Sequence, residues 1–442
     1  MNKRIFMLLT SIIIASLILV ACQPAATPTE APPPTEAPTE AAPPTEAPTE
    51  VPTEAAPPTE APTEAPAGPP EECAADEFGC AVIEPGQTIK IGMGAPMTGD
   101  NAQFGIDISQ GAQIAIEDAG EFNGFKFELV VEDDQGTPEG GAAVANKLVS
   151  DPTVVAIAGH IFSGATDAAM PIYEGKGIPM MSPSATNPAL TQKGSKVFNR
   201  VAFTDAVQGK FAAEYLYNKL GIRKLAIMHD GQAYGQGLAE VVRDEFTALG
   251  GEVVAFEAIT PGEADYSAPL AAIAAGGPEA LYYGGYVQEA VVLVNQMDVA
   301  GLPNTIFFGC DGTFGQDFLQ RTGENGEGAY GTSLIPPASE AKAAFDAKYE
   351  QKYGVAPGTL SPFTWTAYDS AAVLIDAIKK VAILGADGKL YIPRGKLVAT
   401  VRGTKDYQGL TGTITCSEVG ECNFTGPTFY VVQGGQWVEA PK

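Results

Sequence analysis

Histidine and tryptophan are nearly missing, two of each in 442 residues, and basic residues are few, 26 against 53 acidic ones. At a net charge of −27 the chain has no basic stripe to neutralise phosphates, which excludes nucleic acid as a partner. Two histidines, His160 and His229, and six cysteines leave little from which to build a metal centre. Neither close cysteine pair, Cys73 with Cys80 or Cys416 with Cys422, has the Cys-x-x-Cys spacing of a zinc site. No metal and no cofactor is expected. Catalytic signatures are lacking too. There is no G-x-S-x-G elbow, H-E-x-x-H helix or phosphate loop, and Gly92-Met-Gly-Ala-Pro-Met97 fails the dinucleotide fingerprint at its third glycine. These absences point away from an enzyme. Beyond the N-terminus no apolar run is long enough to span a bilayer.

What is present begins with a targeting segment. Lys3 and Arg4 form a positive start, Ile5–Val20 an apolar core, and Leu19-Val-Ala-Cys22 a lipobox-like end. Cys22 resembles the lipidated first residue of bacterial lipoproteins, which implies an extracytoplasmic protein with a lipid anchor on the outer face of the cell membrane, or a periplasmic one. Residues 1–22 are therefore set apart as signal peptide, and 23–72 as a tether of PTEAPTEAAPP-like units. Proline fixes φ, glutamates repel, and nothing apolar is available to pack, so the tether reads as disordered or polyproline II. At about 3.1 Å per residue, residues 23–70 would reach on the order of 150 Å when extended. Export also permits disulfides; each close cysteine pair could close a small loop, and Cys310 is left over.

From Thr88 the rhythm is strand, loop, helix. Thr88–Pro96, Lys126–Asp134, Val154–His160 and Ile178–Pro183 read as strands separated by runs of helical spacing with glycine stops. The rhythm restarts at Lys224–Asp230, Glu252–Ile259, Ala280–Tyr286 and Thr305–Asp311. The expected class is α/β, with two doubly wound parallel-sheet lobes, a hinge and a cleft between them. Asp205–Gln208 is a plausible first crossover.

Two hydroxyl-rich loops follow adjacent strands: Ser163-Gly-Ala-Thr166 after Val154–His160, and Ser184-Ala185-Thr186 after Ile178–Pro183. Ligands of open α/β sheets sit at the carboxyl ends of strands, where free N–H groups and hydroxyls favour a small carboxylate. Further motifs stand in order: Gly94-Ala-Pro-Met-Thr-Gly99 with Phe104-Gly105, His229-Asp-Gly-Gln-Ala-Tyr234-Gly235, Tyr282-Tyr-Gly-Gly-Tyr286, Asp311-Gly312 and Phe363-Thr-Trp365-Thr-Ala-Tyr368. Together they resemble the leucine/isoleucine/valine-binding proteins, extracytoplasmic receptors of branched-chain amino-acid ABC importers with the type I periplasmic-binding fold. The resemblance covers nearly everything from Ile89 to Val432.

The resemblance implies a free amino-acid ligand, an ABC permease and ATPase as partners, and a monomer. Ser163, Ser184, Ala185 and Thr186 would hold the carboxylate from the first lobe, and Asp311 would pair with the ammonium from the second. Phe104, Ile161, Phe162, Tyr234 and Tyr286 would line the side-chain pocket. It also implies three crossings between lobes, which assigns 88–205 to lobe one, 206–334 to lobe two, 335–405 back to lobe one, and 406–442 to lobe two. Each residue has a plainer reading: Asp311 as a helix cap, Tyr234 and Tyr286 as core tyrosines, Trp365 and both histidines as packing groups. Two departures stand out, Asp311 where the family often has Glu and Phe104 where it often has Tyr. Phe162 is bulky for its place. These reshape the side-chain pocket and keep an amide, a urea or an aromatic acid, or a sensory role, as the alternative.

Overall fold

Two sheets, each parallel at its centre and buried there, organise the chain. The computed structural model describes residues 68–422 and 426–441. The signal peptide, Cys22 and the tether up to residue 67 lie outside the described residues. A first short strand, β1 (Cys80–Ile83), precedes the first large sheet. That sheet comprises β2 (Ile89–Ala95), β3 (Glu121–Phe122), β4 (Phe125–Asp133), β5 (Val154–Ile157), β6 (Met180–Ser182) and β7 (Phe198–Arg200), in the order β3-β4-β2-β5-β6-β7. All its pairings are parallel except β3 with β4. β5, β6 and β7 are buried at every residue, as strands covered by helices on both faces must be. Gly94 in β2 has a steric cause: a Cβ there would lie 2.1 Å from the His160 ring.

The second sheet draws on β8 (Lys224–His229), β9 (Glu252–Ala258), β10 (Ala280–Gly284), β11 (Ile306–Phe308) and β12 (Tyr330–Ser333). After β13 (Ile383–Leu384), β14 (Leu390–Pro393), β15 (Tyr407–Gly409) and β16 (Gly412–Ile414), the chain returns to it with β17 (Thr428–Gln433) and β18 (Gln436–Glu439). The order is β18-β17-β12-β11-β10-β8-β9, with the β12–β17 and β17–β18 pairings antiparallel and the rest parallel. The return segment is anchored on the first lobe. Helix Thr364–Val381 packs along helix Ala102–Ala119, and the buried Asp107 carboxylate accepts from Tyr349 (2.6 Å), Ser361 (2.6 Å) and Thr364 (2.8 Å). Burial pushes that carboxyl up to about 6.

Two boundaries differ from the sequence reading. Regular structure is already present before Thr88, in helix Glu71–Ala75, so the tether's expected end at residue 72 falls inside that helix. A disulfide joins Cys73 to Cys80, and β1 pairs antiparallel with β14. Asp76 then caps helix Arg394–Arg402, accepting from the N–H groups of Gly395 (2.9 Å) and Lys396 (3.0 Å). The stretch from 406 is also not wholly part of the second lobe. β15 and β16 form a separate hairpin held on helix Thr364–Val381, where Asp369 accepts from the N–H groups of Leu410 (2.7 Å) and Thr411 (2.8 Å). Among the described residues the tail joins the second sheet from Thr428. Cys416 pairs with Cys422, and Cys310 is free and buried.

Candidate functional site

The carboxyl end of β5 runs into Gly159–Phe162 and then helix Ser163–Glu174. His160 fixes this turn from behind. Its ring lies 2.7 Å from Asp134 Oδ2 and 2.9 Å from Tyr173 Oη, and its carbonyl accepts from Ser182 Oγ at 2.6 Å. So pinned, it presents Ile161, Phe162 and Ser163 to the cleft. Ser163 Oγ accepts from the Asn187 N–H (3.3 Å), which leaves its proton free to donate. Ser184 Oγ donates to the Ile161 carbonyl (2.7 Å), tying the two loops together. The first N–H groups of a helix lack intrahelical acceptors, so this end of the cleft is rich in donors.

The opposite wall is acidic. Asp311 opens a 3-10 turn after β11. Its Oδ1 accepts from Gln208 Nε2 (2.6 Å) and Tyr234 Oη (2.5 Å). Gln208 Oε1 in turn accepts from the Asp311 N–H (3.3 Å) and from Thr332 Oγ1. Asp205, fully buried at the start of helix Asp205–Glu214, lies behind the lining and shares Gln208 with Asp311, its Oδ1 accepting from Gln208 Nε2 at 3.5 Å. Burial raises both carboxyls, and the neighbouring Asp311 charge pushes Asp205 further. Two carboxylates so placed cannot both ionise cheaply unless a cation joins them.

Between these ends sits an aromatic box. Phe162 of the first lobe stacks on Tyr286 of the second at 4.4 Å and 11°. Phe104 meets both edge-on at 5.9 Å, and Tyr234 lies 5.3 Å from Tyr286. The cavity is lined by Phe104, Ile161, Phe162, Ser163, Ser184, Tyr234, Tyr286, Asp311, Gly312 and Phe363. The centre of a water molecule can move through only about 10 Å³ of it, room for roughly one water. The lobes are shut on each other, and Asn187 Nδ2 bonds the Ala233 carbonyl across them.

Eight of the ten residues expected at the pocket thus meet there. Ala185 and Thr186 do not line it. Ala185 is buried behind the loop, where its carbonyl accepts from Arg200. Thr186 is buried next to Asp205, whose N–H its carbonyl accepts at 3.0 Å, and its hydroxyl offsets part of the burial cost of the Asp205 carboxylate. The sequence reading missed Phe363, Gln208 and Asp205. Thr204 caps helix Asp205–Glu214 by accepting from the Val207 N–H (3.3 Å), so an acid in that first turn looks like ordinary helix chemistry. Trp365 donates to Asp346 Oδ1 (2.7 Å), away from the cavity. His229 accepts from the Gly231 N–H (3.1 Å) and packs on Phe256.

The periplasmic binding protein family profile matches residues 88–435. The chain belongs to that family. A receptor of this kind binds a solute outside the cytoplasm and carries out no reaction on it. A leucine-, isoleucine-, valine-, threonine- and alanine-binding protein of Pseudomonas aeruginosa is 35% identical over 303 residues, covering 66% of this chain and 78% of that one. An amino acid binding protein of the same organism is 41% identical, but that match spans 48% of this chain and 58% of its own length. Among solved structures, a leucine-binding protein of Thermotoga maritima superposes with a TM-score of 0.72 at 29% identity, covering 80% and 98% of the two chains. A branched-chain amino acid transporter substrate-binding protein of Streptococcus pneumoniae, in complex with isoleucine, gives 0.70 at 30%, covering 79% and 98%. The two-lobed parallel-sheet fold expected from the sequence is the fold of these relatives. No helix among the described residues is long and apolar enough to cross a membrane.

Proposed function

We propose that this receptor captures a free amino acid, branched-chain or otherwise apolar, in the cleft and delivers it to an ABC permease and ATPase. The observation that carries the reading is the paired acids, Asp205 and Asp311, buried opposite a donor-rich helix start. A zwitterion satisfies both ends, and a buried charge left unpaired costs several kcal/mol. In this reading Ser163 and the free N–H groups at the start of helix Ser163–Glu174 take the carboxylate, with Ser184 bracing the Ile161 carbonyl beside them. Asp311 and Asp205 take the ammonium, a charge-assisted contact, and Tyr234, Phe104, Phe162 and Tyr286 take the side chain. An aromatic acid or an amide supplies no ammonium and would leave the two acids uncompensated, which ranks those ligands lower.

Attachment belongs to the same proposal. Cys22 carries the lipid anchor, and the Pro- and Glu-rich stretch after it spaces a monomeric receptor from the outer membrane face. Calorimetric titration of the soluble body with the L-amino acids, after unfolding and refolding to strip carried ligand, tests the central claim. One-to-one binding of aliphatic amino acids is expected. Silence across the panel, with binding of amides, ureas or aromatic acids, would overturn it.

A further inference from the structure

The loop that presents Ser184 is held from behind by an arginine whose own partner sits in a disulfide ring. Arg200, at the end of the edge strand β7, has no exposed surface. Its Nη1 donates to the carbonyls of Ala185 and Asn187, both at 2.8 Å. Its Nε and Nη2 make a two-pronged pair with Glu421, at 2.8 and 2.6 Å. Glu421 Oε1 also accepts from Thr191 Oγ1 (2.7 Å). Forked pairs of this kind fix direction as well as distance.

Glu421 lies inside the small ring closed by Cys416–Cys422. The ring adds itself to the free edge of β7: the Arg200 N–H donates to the Gly420 carbonyl and the Cys422 N–H to the Arg200 carbonyl, both at 2.9 Å. Gly420 has φ +93°, and a Cβ there would lie 2.3 Å from the Phe198 carbonyl, so the ring seats where no other residue would fit. Arg402 adds a second brace, donating to Asn199 Oδ1 (2.6 Å) and the carbonyls of Phe198 (2.7 Å) and Glu418 (2.6 Å).

We infer that Glu421, held by the Cys416–Cys422 ring, is a positioning residue: through Arg200 it sets the backbone of residues 184–187 and hence the receptor's grip on the ligand carboxylate. Neither Glu421 nor the ring lines the cavity. The effect is preorganisation, since a loop already ordered costs less to order on binding. Opening the ring frees Glu421, leaves Arg200 less well paired, and loosens the Ala185 and Asn187 carbonyls in the loop that carries Ser184. The inference rests on the proposed amino-acid reading.

The test uses the soluble body in four forms: wild type, Glu421→Gln, Cys416→Ser/Cys422→Ser, and Cys73→Ser/Cys80→Ser as the control disulfide. Two quantities are read well below the melting temperature: Kd for L-leucine, and hydrogen exchange of backbone amides in 183–191 without added ligand. Glu421→Gln and loss of the 416–422 bridge are each expected to weaken Kd about tenfold and to speed exchange in that loop at least fivefold. The control should match wild type in both. Should the variants fail to fold, dithiothreitol added to the Cys73→Ser/Cys80→Ser protein opens the 416–422 bridge alone. A lowered melting temperature with Kd and loop exchange both unchanged would show a purely structural clamp and overturn the inference. If wild type binds no amino acid, the ligand reading fails, and loop exchange still decides the positioning claim.

Discussion

Asp311→Asn removes a charge while nearly preserving shape, and its effect can be worked out from the site. An asparagine oxygen can keep the contacts that Asp311 Oδ1 makes with Gln208 Nε2 (2.6 Å) and Tyr234 Oη (2.5 Å). What goes is half of the anionic well that Asp311 forms with Asp205. Removing the partner of a buried, hydrogen-bonded charge costs on the order of 2–5 kcal/mol. Asp205 remains, so the lower part of that range applies, about 2–3 kcal/mol, or roughly 30- to 150-fold in Kd.

The same substitution should alter proton release. Burial raises both carboxyls, with the Asp311 charge adding to the effect at Asp205, so the ligand-free pair retains a proton at pH values where a solvated acid would not. An arriving ammonium favours the ionised pair and expels that proton. Affinity should therefore rise with pH while the pair is still protonated, and wild-type binding enthalpy should differ between buffers of different ionisation enthalpy. In Asp311→Asn the proton release should shrink. Calorimetry in two buffers reads both effects. A Kd within threefold of wild type at pH 7, together with no buffer dependence in wild type, would refute the reasoning.

Three other outcomes are expected. Phe162→Ala removes the face that stacks on Tyr286 at 4.4 Å, and should shift preference toward longer side chains, raising the leucine-to-alanine affinity ratio roughly tenfold; a ratio within twofold of wild type would show that Phe162 does not set the pocket. Burial pushes Asp230 up to about 7, and its Oδ2 has no hydrogen-bond partner. An acid raised on folding contributes stability that is complete below its unfolded value and lost as pH climbs through its folded value. About 1.4 kcal/mol should disappear between pH 6 and 8, and Asp230→Asn should flatten that slope in denaturant titrations; equal slopes would count against it. Gly94→Ala would drive a Cβ into the His160 ring, 2.1 Å away, and should destabilise the receptor by on the order of 3 kcal/mol, visible as a lowered denaturation midpoint; an unchanged midpoint would mean His160 can yield.

Strands β2, β5, β8 and β10 are legible in the sequence because both their faces are covered, which forces unbroken apolar runs. Ser163, Phe162, Tyr286 and Asp311 are legible because each closes such a run, and strand ends are where a cleft collects side chains. Contacts that depend on distant partners are not. Cys80–Ile83 finds its partner at Leu390–Pro393, and no local pattern announces a pairing across that separation. Tyr407–Ile414 has the alternation of a strand pair, but its place on the first lobe is decided by one buried acid, Asp369. Asp205 is hidden because an acid in the first turn of a helix is ordinary helix chemistry and needs no ligand to explain it. Arg200 and Glu421 look like surface charges until the fold buries one against the other.

The paired acids also bear on how closure is tied to ligand. Asp205, Gln208, Tyr234 and Asp311 belong to the second lobe and its entry helix, while Ser163, Ser184 and Phe162 belong to the first. Separating the lobes would return water to Asp205 and Asp311, where ionisation is cheap. Bringing them together removes that water and makes two facing carboxylates costly. Closure is therefore penalised unless a proton or an ammonium enters, and a ligand shifts the equilibrium only by the difference in its affinity for the two forms. An amino acid should compact the receptor, whereas the same molecule lacking its ammonium, 4-methylpentanoate in place of leucine, should compact it poorly at pH 8 and better at pH 5. Small-angle X-ray scattering reads the radius directly. Equal compaction by both ligands at pH 8 would mean that shape complementarity, and not charge compensation, closes the lobes.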